Sequence, residues 1–152
     1  MAIYKSDGVD GVLATPNKFI EVYCSSAAIT RGDVVVLALD SSFATNGLTV
    51  AKAGATANLP LACGIAMETL AAAGPLQIQY AGFNELATCE GGAGGVAVNA
   101  LVGTAATAGQ IEDFGTNNRT NLLDYFAVCA RAYTAGAADG ALLIVDKGFF
   151  NG

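Results

Sequence analysis

The side chains able to do chemistry in this chain are few. Its 152 residues include no histidine, so the group that most often moves protons or ligates metals near neutral pH is missing. Ser-His-Asp and Cys-His nucleophile arrangements are thereby excluded, as are metal sites built on imidazole. Four cysteines remain: Cys24, Cys63, Cys89 and Cys129. None forms a Cys-x-x-Cys pair, so their spacing carries no zinc signal. No basic cluster lies beside any of them to lower a thiol pKa. They read as small buried hydrophobes of a chain kept in a reducing cytoplasm.

The carboxylates offer little more. Glu112 and Asp113 are adjacent, and neighbours on a strand point to opposite faces. Glu85 and Glu90 flank Cys89 in "NELATCEGG" and read as surface charges, since glycoside chemistry needs two carboxyls across a cleft. "GGAGG", Gly91 to Gly95, lacks the Gly-Lys-Ser/Thr and the helix of a phosphate-binding loop, so it reads as a turn or linker. Arg31-Gly32-Asp33 matches the tripeptide that integrins bind, but it stands just before a β-branched run, where Gly-Asp makes a turn. The expectation is a non-enzymatic protein with no catalytic residue, no cofactor and no metal.

Composition points the same way. Charged residues are 13% of the chain, apolar residues 53%, and the net charge is −6. So apolar a chain should fold, and so few charges leave a surface suited to being covered by a partner or by copies of itself. Seven basic residues, scattered singly, make no patch for a phosphate backbone. The uncharged stretch from Gly91 to Ile111 is long enough for a bilayer. Its six glycines, with Asn99, Thr104, Thr107 and Gln110, argue against a span. The opening "MAIYKSDGVDG" shows no basic-then-apolar secretory pattern.

The elements that must position these residues are strands. "FIEVYCSS", "DVVVLA", "LTVAKA", "LACGIAME" and "GPLQIQYAGF" alternate or run β-branched between turn residues. "VAVNALVGT", "GQIEDF", "YFAVCARAY" and "GALLIVDKGFF" repeat that rhythm after the central glycines. Leu76, Ile78 and Tyr80 alternate with Gln77, Gln79 and Ala81, a half-buried strand with an apolar and a polar face. "CGIAMETLAAAGPLQIQYAGF" from Cys63 aligns without a gap on "CARAYTAGAADGALLIVDKGF" from Cys129, matching Cys63/Cys129, Leu76/Leu142 and Ile78/Ile144. The expected fold is all-β, a small β-barrel or β-sandwich of two similar halves. Residues 1–18 form an extended N-terminal arm, and residues 19–152 a single β domain with halves at about 19–90 and 96–152. Neither half is expected to close its own edges; each covers the other's.

These residues carry a resemblance. The order "ITRGDVVVLA", "GIAMETLAAAGPLQIQYAGF", "GGVAVNALVGTAATAGQI" and "FAVCARAYTAGAADGALLIVDKGF" resembles the capsid cement (decoration) proteins of tailed bacteriophages. The resemblance implies a structural virion protein added to the outer surface of the expanded capsid, where it bridges neighbouring major capsid protein subunits. It implies self-association, trimers before dimers, synthesis in the host cytoplasm, and no membrane or nucleic-acid partner. The arm would order on the lattice or on a neighbouring copy. The alternative is a phage tail or fibre module, or another self-assembling β-rich surface protein. A carbohydrate-binding or enzymatic domain is disfavoured, since the chain has no Trp and sugar sites use aromatic platforms.

Overall fold

A computed structural model describes residues 18–38, 49–55, 59, 61–92, 94–115 and 125–145. The expected arm before Lys18, the closing Gly148-Phe149 and most of the polar loop 114–121 lie outside them. The described residues form strands and no helix: β1 (Lys18–Ser25), β2 (Val34–Leu37), β3 (Thr49–Lys52), β4 (Ala62–Ala66), β5 (Gly74–Asn84), β6 (Leu101–Thr104), β7 (Ile111–Asp113), β8 (Ala127–Arg131) and β9 (Ala141–Ile144). Each falls in a segment whose alternation or β-branching called for it. "TLAAAG", the one stretch with helix-forming content, is a loop with an isolated bridge at Leu70.

The strands close into rings. Hydrogen-bonded order runs β1-β3-β2-β4-β5, and β1 also pairs with β5. β1 lies antiparallel to β5 from Lys18↔Gly82 to Ser25↔Gly74 and parallel to β3 at Cys24↔Thr49 and Ser25↔Val50. That makes a closed five-stranded barrel with no free edge.

The remaining strands continue the sheet as β5-β9-β8-β6-β7. Here the C-terminal end of β5 plays the part that β1 plays in the first ring. It pairs antiparallel with β9 at Gly82↔Ile144, Phe83↔Leu143 and Asn84↔Leu142. The chain just beyond it then bridges in parallel to β7 at Cys89↔Ile111. Ile111 N donates to Thr88 O (3.0 Å) and Glu90 N to Ile111 O (2.9 Å), as Ser26 N donates to Val50 O (3.0 Å) in the first ring. The expectation that neither half closes its own edges is therefore corrected for the first half, which closes by itself, whereas the second closes only with Gly82–Asn84 and Cys89 of the first. β5, at eleven residues, is long enough to serve both rings.

The interiors repeat. Val35, Val50, Cys63, Leu76 and Ile78 fill the first ring, and Val102, Ile111, Cys129, Leu142 and Ile144 belong to the core of the second. The aligned pairs Cys63/Cys129, Leu76/Leu142 and Ile78/Ile144 are all buried. Val34, Ala53, Ala62 and Ile65 of the first ring join the second ring's cluster instead, so the outside of one barrel packs on the other. Val34 N donates to Gly109 O (2.9 Å) and Gly109 N to Ala53 O (3.0 Å). The β6–β7 turn thus lies across β2 and the end of β3.

This packing leaves the parity read for β5 in place but covers part of its outer face. Gln79, expected on the polar face, is fully buried. Its side chain is satisfied: Nε2 donates to Ala81 O (3.1 Å) and Phe83 O (2.7 Å), and Oε1 accepts from Asn84 Nδ2 (3.0 Å). These bonds clasp the bend where Gly82 takes a φ of +88°, a left-handed conformation that glycine adopts at little cost.

Candidate functional site

The thiols are packed rather than poised. Cys63, Cys89 and Cys129 are buried, Cys24 is exposed, and none of the four is in a disulfide. Cys63 Sγ donates to Val35 O (3.4 Å) and Cys129 Sγ to Arg131 O (3.1 Å). Burial pushes the Cys89 and Cys129 thiols up, away from the reactive thiolate. Cys24 departs from the expected burial. On β1 it follows Ile20 and Val22 at every second position, so all three point away from the barrel interior.

Arg31-Gly32-Asp33 is a turn, as its composition suggested. Thr30 N donates to Asp33 Oδ2 (2.7 Å), and Asp33 N to Thr30 O (3.0 Å). Lys52 Nζ pairs with Asp33 Oδ2 at 3.1 Å. Gly32 (φ +93°) lies against the backbone oxygen of Leu86, leaving no room for a Cβ. The Asp33 carboxylate is thus spent on the turn and on Lys52, close to where the rings meet. Gly94 and Gly95 of the central glycine run also take positive φ and lead into the Val96↔Tyr133 bridge, so they serve a turn.

Among the described residues the carboxylates are distributed singly with one exception. Glu85 pairs with Arg131 Nη1 at 3.3 Å across an exposed surface, and Asp113 Oδ1 accepts from Gly115 N (2.8 Å). Glu90 and Glu112 meet. The Cys89↔Ile111 bridge sets the next residue of each strand side by side. Thr107 Oγ1 donates to Glu90 Oε1 (2.7 Å) and holds that carboxyl below its ordinary range. Burial, and then the hydrogen bond with Glu90, push Glu112 up to about 6. The pair therefore holds a proton on Glu112 near the acid edge of neutrality. Adjacency in sequence gave no hint of it, because a parallel bridge between distant segments creates it.

Among the described residues no three of His, Cys, Asp or Glu gather to hold a metal ion, and no helix is long and apolar enough to cross a membrane. The most distinctive surface features are apolar. Val22 is 63% exposed and Ile20 43%. Their β5 partners are Gln77 and Gln79, and Cys24 pairs with Pro75, so the strip carries no charge. Val98, Leu143 and Val145 are the other exposed large apolar side chains among the described residues. Surfaces of this kind bind other proteins. No protein-family model and no curated protein matches the chain.

Proposed function

We propose that this chain is a structural, non-enzymatic virion protein that binds the outer surface of an expanded phage capsid and cements neighbouring major capsid protein subunits. The observation that carries the reading is the uncharged strip of Ile20, Val22 and Cys24 along β1. The strip offers an apolar stretch to a partner that is itself a repeating protein surface. The resemblance of "GDVVVLA", "GIAMETLAAAGPLQIQYAG" and their second-half echoes to cement proteins supports the same reading. Modest contacts repeated over a rigid lattice gain strength through effective concentration. A protein that binds only the expanded shell stabilises that state by mass action.

Co-sedimentation with expanded and unexpanded shells of a phage that encodes the chain tests this. Saturable binding to expanded shells alone, at a fixed ratio to the major capsid protein, is the expected result. Val22→Glu should weaken that binding without lowering the melting temperature, since Val22 is 63% exposed. Absence of binding to either shell removes the reading and favours a tail or fibre component.

A further inference from the structure

The two rings are shut by seams of unequal length. The first closes where β1 runs parallel to β3 over two residue pairs, Cys24↔Thr49 and Ser25↔Val50. The residues one place beyond it, Ser26 and Ala51, carry no charge. The second closes, among the described residues, on the single parallel bridge Cys89↔Ile111. Two backbone bonds hold it, from Ile111 N to Thr88 O (3.0 Å) and from Glu90 N to Ile111 O (2.9 Å). One place beyond that bridge stand two carboxyls, Glu90 and Glu112. β7 is only three residues long, so it has little else on this side to hold it.

The surroundings leave the two carboxyls to each other. Thr107 of the β6–β7 turn donates Oγ1 to Glu90 Oε1 (2.7 Å), which suits a charged Glu90. Glu112 is half-buried and hydrogen-bonded to Glu90, a contact that needs a proton between them. Opposite Glu112 on β6 stands Gly103, which has no side chain to offer. The other charges that bear on this corner are acids as well. Asp113 follows Glu112, and Asp139 belongs to the loop whose Ala137 O accepts from Cys89 N (2.9 Å). Arg131 is engaged elsewhere, by Glu85 (3.3 Å), Asp139 O (3.0 Å) and Gly140 O (3.2 Å). Among the described residues no Lys or Arg is ion-paired with either glutamate.

We infer that the Glu90–Glu112 contact is a pH-operated latch on the second ring: with a proton between the carboxyls the Thr88–Glu90 segment stays on β7, and without it the ring opens there while the first ring stays closed. Two effects drive the opening. A half-buried carboxylate regains water when the seam parts. Like charges on neighbouring strands also repel each other, here across a seam of only two backbone bonds. The direction follows from Glu112, which burial, and then Glu90, push up to about 6. Its proton binds more tightly in the closed ring, so closure is favoured at acid pH and weakens as pH rises through about 6. The first seam has no carboxyl beside it and should not respond.

Amide hydrogen exchange of the full chain, resolved residue by residue by NMR with no capsid shell present, tests the inference. The protection factors of Ile111 N and Glu90 N should fall roughly fivefold between pH ~4.5 and pH ~7.5. That of Ser26 N, which donates to Val50 O at the first seam, should stay level. Glu112→Gln keeps a donor to Glu90 at every pH and should abolish the fall. Glu90→Gln keeps the test decisive should Glu112→Gln unfold the ring. It removes the opposing charge and leaves the burial of Glu112, so it should at least halve the fall. Equal protection of the second seam at both pH values in the wild-type chain overturns the inference. So does an equal fall at Ser26 N, a fall that survives whole in a folded Glu112→Gln chain, or one undiminished in Glu90→Gln.

Discussion

Glu90 and Glu112 share a hydrogen bond at the seam where the second ring closes, one residue beyond the parallel bridge Cys89↔Ile111. Glu90 keeps its charge, and Glu112 takes up the proton at about 6 rather than at 4.5. A carboxyl that binds its proton more tightly in the folded chain favours folding at low pH. That advantage is lost as pH rises from 4.5 through about 6. The rise sets a ceiling of about 2 kcal/mol at ~1.4 kcal/mol per pH unit, and solvent screening of a partly exposed group brings it nearer ~1 kcal/mol. Glu112→Gln should therefore be more stable than wild type by about 1 kcal/mol in urea titrations near pH ~7.5, and equal to it near pH ~4. An equal gain at both pH values would show that the pair does not titrate in this way.

Tyr133 should be better as phenylalanine. It is 4% exposed, its hydroxyl has no hydrogen-bond partner among the described residues, and burial pushes its pKa well up. Its ring fills the space where a Cβ on Gly140 would lie, and that packing survives the loss of the oxygen. Tyr133→Phe removes a buried unpartnered hydroxyl worth roughly 1–3 kcal/mol, so a scanning calorimeter should show a melting temperature raised by about 2–4 °C or more. A lowered melting temperature would mean that the hydroxyl is stabilised in solution.

Ile78→Asp and Ile144→Asp should each abolish the cooperative thermal transition. The two isoleucines are 0% and 3% exposed and lie in the cores of the first and second rings respectively. A carboxylate there has no partner, and the loss should exceed about 4 kcal/mol. A variant with a wild-type melt would place that side chain outside the core.

In the native protein a disulfide reagent should modify one thiol quickly. Cys24 is exposed, while Cys63, Cys89 and Cys129 are buried. Cys24→Ser should remove the fast phase and leave only a slow reaction that follows unfolding. A fast phase that persists in Cys24→Ser would mean that one of the rings opens readily.

The strands and their inward residues were legible in the sequence, because alternation and β-branching are local signals. The inward places of Leu76, Ile78, Leu142 and Ile144 followed from the aligned halves. Three things depended on the rest of the fold. Gln79 looked solvent-facing because its burial is caused by the second ring, not by its own strand. Cys24 looked buried by analogy with the other cysteines, yet strand parity turns it outward. The meeting of Glu90 with Glu112 comes from a register between distant segments that no local pattern encodes.

The double use of β5 has a mechanical consequence. Its N-terminal part is held by β1 and β4, and its C-terminal part by β9. A pull on either barrel is thus carried into the other along one uninterrupted backbone. Separating the barrels requires shearing a hydrogen-bonded ladder along its length rather than peeling two packed surfaces apart. Tension would therefore be shared between the barrels until the ladder yields as a whole, with the Gln79–Asn84 clasp bracing the strand where it turns.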